Sequence, residues 1–87
     1  MDALVLFKAL SDETRYKILS ILLEEDRCVC ELVPMVNKSQ PTVSIHLKAL
    51  ESKGIVSKRR EGRKIIYSLA EPKIRTLIEH AIQPVIA

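Results

Sequence analysis

The sequence predicts a mainly α-helical fold carrying one two-stranded β-hairpin, and three observations predict it. Apolar residues recur at helical spacing over most of the chain. One helix is bracketed by its own punctuation, with Ser39 as N-cap, Pro41 in the first turn and Gly54 as the stop. Residues 55–69, "IVSKRREGRKIIYSL", instead read as two strands around a tight turn.

Each element follows in order. "DALVLFKAL" forms a first apolar helix. "SDETRYKILSILLEE" forms a second, with Ser11 as its expected N-cap, and Asp12 and Glu13 facing the helix dipole. Ile18, Leu19, Leu22 and Leu23 make its core stripe, and Glu24 to Asp26 end it. A short third helix is expected from about Glu31 to Val36, with Pro34 near its start. After an "NK" turn the fourth helix, "QPTVSIHLKALESKG", buries Val43, Leu47 and Leu50. So short a connection suits a helix-turn-helix. The hairpin strands are read as Ile55 to Arg60 and Arg63 to Leu69, with Glu61-Gly62 at the turn centre. Its second strand alternates imperfectly, because Ile66 interrupts the pattern of Ile65, Tyr67 and Leu69. In the last helix Ile74, Leu77, Ile78, Ala81, Ile82 and Val85 share a stripe, and Pro84 kinks or ends it near Gln83. A helix-turn-helix followed by a basic hairpin is the layout of a winged helix.

Composition bounds the function. The 87 residues read as a single domain, 1–87, and 47% are apolar, as in a globular protein. No apolar run approaches the roughly 20 residues of a membrane helix. The N-terminus, with Asp2 and Lys8, does not read as a secretory signal, so a reducing cytoplasm is expected. No Gly-rich phosphate loop or acid pair beside a nucleophile appears, and His46 and His80 lie in separate helices, which argues against an enzyme. Charge is segregated. Residues 1–36 carry 4 basic and 7 acidic side chains, whereas residues 37–64 carry 8 basic and 2 acidic. Such a block is either a solubilising face or the footprint of a polyanion site.

Double-stranded DNA is the partner this pattern favours. On the fourth helix Gln40, Pro41, Ser44, Ile45 and Lys48 lie opposite the apolar face. Gln40 sits at the end that meets base edges in the major groove, where glutamine pairs with adenine. Ser39 and Thr42 reach phosphates or bases, and Lys48 a phosphate. Lys58, Arg59, Arg60, Arg63 and Lys64 cluster at the hairpin tip, suited to the backbone or the minor groove. The alternatives are charges that protect a strand edge and a winged helix that binds protein. His46, on the inner side of its helix, is read as packed.

"ALSDETRYKILSIL", "CVCEL", "SQPTVSIHLKALESKGIV" and "RREGRKIIYSL" resemble successive segments of the ArsR-type repressors, metalloid- and metal-responsive winged-helix regulators, over about residues 7–82. The resemblance implies a homodimer held by the first and last helices, here through Leu4, Phe7, Ile74, Leu77, Ile78, Ala81 and Ile82. It implies a pseudo-palindromic operator with half-sites about 34 Å apart or a multiple of that. It also implies an inducer at Cys28 and Cys30. In arsenic-sensing relatives a third cysteine follows three residues after the second; that position here is Val33.

Two thiolates suit a thiophilic ion such as As(III), Sb(III), Cu(I), Hg(II) or Cd(II), acting as inducer rather than being needed for folding. Helical residues i and i+2 point about 200° apart, so joint ligation calls for a non-helical start to the third helix. Zinc or cadmium would need further ligands, with Asp26 and Glu31 nearest in sequence. Thiol oxidation and two inert cysteines are the competing readings. Neighbouring thiols at i and i+2 are expected to form a disulfide with each other poorly. Glu79 and His80 are read as surface groups.

Overall fold

The computed structural model describes residues 2–82. The chain runs α1 (Ala3–Leu10), α2 (Glu13–Glu24), β1 (Arg27–Cys28), α3 (Val29–Val36), α4 (Gln40–Ser52), β2 (Val56–Glu61), β3 (Lys64–Leu69) and α5 (Pro72–Ile82). The expected role of Val85 and the break at Pro84 lie outside the described residues.

Local chemistry sets the boundaries. Asp12, not Ser11, caps α2: its backbone is extended and its carboxylate accepts from the Arg15 N–H at 2.9 Å. Ser11 stays with α1, where its hydroxyl donates to the Lys8 carbonyl at 2.6 Å. Asn37 closes α3 in the left-handed conformation (φ 56°), which asparagine tolerates. Ser39 caps α4 as expected, accepting from the Thr42 N–H at 3.3 Å. Gly54 (φ 74°) follows α4 and turns the chain into β2.

The expected hairpin wing is present as β2 and β3, and the two-residue β1 adds a third strand to it. The sheet has three antiparallel strands in the order β1-β3-β2, with Arg27 opposite Tyr67 and Cys28 opposite Ile66. The hairpin turn is one residue later than expected. Glu61 pairs with Lys64, so Gly62-Arg63 forms the two-residue loop. Gly62 takes the positive φ (63°), at the position where a II′ turn places glycine. Ile55 precedes β2 and is fully buried.

One apolar cluster joins every helix. Leu6 and Ala9 of α1, Ile18, Leu19 and Leu22 of α2, and Leu32 and Val36 of α3 meet Val43, Leu47 and Leu50 of α4. Tyr67 of β3 and Ile74 and Ile78 of α5 close it. Arg15 ties α2 to the end of α1 through the Ala9 carbonyl, and Arg75 of α5 donates to the Leu23 carbonyl of α2. This packing fixes α4 with its polar face outward. It also consumes two residues expected at a dimer interface: Ile74 and Ile78 are buried in the protomer's own core. Leu4 (56% exposed) and Phe7 (55%) remain open to a partner, together with exposed Ala81 and half-buried Leu77 and Ile82.

Candidate nucleic-acid interface and thiol site

α4 presents the expected polar face. Ser39, Gln40, Pro41 and Lys48 are exposed, and Thr42 and Ser44 are half-buried. Ser39 and Thr42 engage each other, hydroxyl to hydroxyl, at 3.0 Å. Ile45 is 67% exposed, the most exposed large apolar side chain among the described residues. His46 is half-buried, with Nε2 4.0 Å from the Asp12 carboxylate, so it packs between helices as expected. The Arg15 N–H, more than His46, holds that carboxyl below its ordinary range.

The wing residues divide into two groups. Arg63 and Lys64 are exposed and make no ion pair among the described residues, and Arg60 donates only to the Gly62 carbonyl. Arg59, expected at DNA, is exposed but engaged by two carboxylates of its own chain. Its Nη1 donates to Asp26 at 2.8 Å and its Nε to Glu61 at 2.6 Å. Those two hydrogen bonds raise its already high pKa further. Lys58 faces Glu51 of α4 at 3.5 Å.

Cys28 and Cys30 converge as the geometry requires. Cys28 is buried, extended, and the N-cap of α3; Cys30 is exposed in the first helical turn. α3 begins at Val29, earlier than expected, so the break in helical geometry falls at Cys28 itself. The two sulfurs are joined as a disulfide, with Cα atoms 5.3 Å apart. That corrects the expectation that neighbouring thiols would bond poorly: an extended cap followed by one helical residue turns both side chains to one side.

Glu31 orders this corner. Its carboxylate accepts from the Cys28 N–H at 3.1 Å and from Arg27 Nη1 at 3.1 Å, half of a capping box. The Cys28 N–H, followed by Arg27, holds the Glu31 carboxyl below its ordinary value. Glu31 and Asp26 are therefore engaged elsewhere, and no group of three or more metal-ligating side chains occurs among the described residues. Glu79 and His80 are exposed. Pro34 lies inside α3 rather than near its start. It lacks the N–H that would bond the Cys30 carbonyl four residues earlier, so the first turn is weakly held.

A cleft of about 270 Å³ joins the two sites. Cys28, Val29 and Cys30 line one side, Gln40 of α4 another, and Arg63, Lys64 and Ile65 of the wing the third. The sulfur pair thus opens onto the same surface as the N-terminal end of α4.

The profile of the bacterial regulatory proteins of the arsR family matches residues 12–58, the stretch from the α2 cap through the hairpin's first residues. The chain belongs to the arsR family. Among arsR-family relatives, a cadmium resistance regulatory protein CadC homolog from Staphylococcus aureus is 43% identical over 93% of this chain and 68% of its own length. A probable mercury resistance operon repressor from Streptomyces lividans is 43% identical over 83% of this chain and 58% of its own length. In structure, the chain is similar to HlyU from Vibrio cholerae (TM-score 0.84, 35% identity, 91% of this chain and 86% of that one). It is also similar to a homodimeric winged helix-turn-helix DNA-binding domain from Mycobacterium bovis (TM-score 0.80, 28% identity, 98% and 86%). The arsR-family chain is thus a DNA-binding transcriptional regulator and not an enzyme. No described helix is long and apolar enough to cross a membrane.

Sequence reasoning missed Val29 and Ile65 as cleft residues and Asp26 as the partner of Arg59, whereas Glu61, beside Arg59 at the turn, was open to it as an ordering group. Asp26 meets Arg59 across 33 positions, with no sequence signal to announce it. "CVCE" does carry a signal for the cap, with Glu31 three residues after Cys28, but cysteine stands where a capping box usually has serine or threonine.

Proposed function

We propose that the protein is a cytoplasmic, homodimeric operator-binding repressor, released from DNA when a thiophilic metal or metalloid ion binds the reduced Cys28 and Cys30. One observation carries this reading: the two sulfurs converge in a cleft whose other walls are Gln40 of α4 and Arg63 and Lys64 of the wing. A change in the thiols therefore acts on the DNA-facing surface directly. The names of the cadmium and mercury resistance relatives support a soft ion as inducer. With Val33 half-buried in place of a third thiol, the donor set favours ions content with two sulfurs, As(III) completing its shell with another donor.

The chain's own residues suggest the route. Cys28 belongs to β1, paired with the wing strand β3, while Cys30 belongs to α3, which leads through Asn37 into α4. Holding both sulfurs on one ion fixes the angle between these segments. The α3 turn that must yield is the one Pro34 leaves without a hydrogen bond. Ion binding and DNA binding then oppose each other through one coupling free energy.

On DNA, Gln40, Ser44, Ile45 and Lys48 enter the major groove, Ser39 and Thr42 contact its edge, and Arg60, Arg63 and Lys64 follow the backbone. An exposed isoleucine on this face fits the thymine methyl group. Leu4, Phe7, Leu77, Ala81 and Ile82 supply the dimer contact. The disulfide favours a second reading, in which oxidation of the same pair replaces the ion as signal. Operator titrations with the reduced protein, with As(III), Sb(III), Cd(II), Hg(II), Cu(I) or peroxide added, separate the two. Release by an ion and not by peroxide supports the first reading; the reverse supports the second.

A further inference from the structure

We infer that Arg59 is a positioning residue rather than a phosphate contact: with Asp26 and Glu61 it straps the wing to the segment that leads into Cys28. The register makes the connection. Cys28 lies opposite Ile66 of β3, and Ile66 lies opposite Arg59 of β2, so the three residues form one row across the sheet. Directly opposed residues in antiparallel strands project from the same face. Arg59 therefore reaches over the central strand to Asp26, which immediately precedes β1. Its Nε, held by Glu61 at the end of β2, fixes the fork in that direction. Within the wing, Arg59 and Glu61 are thus taken up by the strap and Lys58 faces Glu51, while Arg60, Arg63 and Lys64 stay outside it.

The strap changes what a shift at Cys28 does. Backbone pairing joins β1 only to β3; the Asp26–Arg59 bridge carries the same segment on to β2. The hairpin then moves with β1 as one body, and its tip, Gly62-Arg63, is aimed by residues beside the thiol pair. This second half rests on the ion-responsive reading proposed above, whereas the strap itself concerns the ion-free protein.

Electrostatics gives a test with opposite signs. Asp26 and Glu61 are acidic groups close to a surface that binds a polyanion. If they were bystanders, Asp26→Asn would tighten operator binding, because it removes a like charge. If they hold the wing in place, the same change loosens binding. In the reduced, ion-free dimer we expect Asp26→Asn and Arg59→Gln each to weaken operator binding roughly threefold, the scale of a partly exposed pair. The double variant should be no weaker than either single one, as for residues acting through one interaction. The dependence on salt should keep its slope in Arg59→Gln. A lost phosphate contact on each protomer would lower that slope by about 1.8. Amide exchange in β2 and β3 should quicken in Asp26→Asn while α1 and α2 stay protected, which keeps a wing effect distinct from general unfolding. Tighter binding by Asp26→Asn, additive losses in the double variant, or a reduced salt slope in Arg59→Gln would each overturn the proposal. The ion arm reads separately: release by ion should be blunted in the strap variants. An ion that releases both variants as fully as the wild type overturns the coupling. A wild type that no ion releases defeats the ion reading and leaves the strap standing on its ion-free measurements.

Discussion

Replacing Ile45 by alanine, combined with replacing thymine by uracil in the operator, tests the DNA-facing surface at the level of single methyl groups. Ile45 is 67% exposed, whereas Ile18 on α2 is fully buried. Truncating a core isoleucine costs about 2–5 kcal/mol of stability, but a surface change away from other features costs about 0.5 kcal/mol or less. Ile45→Ala should therefore fold and melt nearly as the wild type does. Burying one methyl group contributes about 0.8 kcal/mol, so a thymine-to-uracil change in both half-sites should cost about 1.6 kcal/mol, roughly fifteenfold in affinity. Ile45→Ala should lose at least as much on the thymine operator. On the uracil operator it should lose almost nothing further, since the methyl group it would have met is already gone. Fluorescence anisotropy with the four combinations of protein and DNA measures this cycle. Equal losses from uracil in wild type and variant, or no thymine position sensitive in the wild type, would refute the reasoning.

Other expectations follow from the same structure. Pro34→Ala restores the N–H missing opposite the Cys30 carbonyl; it should stabilise the fold by about 1–2 kcal/mol in denaturant titration and reduce the fraction of operator released by ion. Glu31 is held below its ordinary carboxyl value by the Cys28 N–H and Arg27, so the stability it adds is present at neutral pH and is lost as pH falls below about 4.5. Melts of wild type and Glu31→Gln should accordingly differ at pH 7 and converge toward pH 3, and a gap that widened with acid would contradict the assignment. Leu4→Ser with Phe7→Ser should give a folded monomer by sedimentation, with weak operator binding, because both side chains lie outside the protomer's core.

What the sequence announces and what it conceals divide along physical lines. α4 is legible because Ser39, Pro41 and Gly54 each act locally, within a turn of the boundary they set. The hairpin is legible as a hairpin, but its register depends on which residue adopts a positive φ. Gly62 does so as the first loop residue, and this moves Arg63 from strand to tip. β1 is concealed because two residues cannot show a period, and only pairing with β3 makes Arg27 and Cys28 a strand. The apolar stripe of α5 is visible, yet a stripe does not say which neighbour it meets. Ile74 and Ile78 turn toward the protomer's core, while Leu4 and Phe7 on α1 do not. At the site, the sulfur pair and the basic tip are both legible as chemistry. Their sharing of one cleft with Gln40, and the withdrawal of Arg59 to Asp26, come only from tertiary packing.

The central claim is that Cys28 and Cys30 together control occupancy of the operator. Its most direct measurement is the operator affinity of the reduced dimer with and without saturating thiophilic ion, made in parallel on wild type, Cys28→Ser and Cys30→Ser. All three should bind DNA comparably without ion, and ion should weaken the wild type at least tenfold, a coupling of about 1.4 kcal/mol, with little effect on either variant. An ion that released all three proteins equally, or an ion-saturated wild type that held its operator as tightly as the ion-free form, would contradict it.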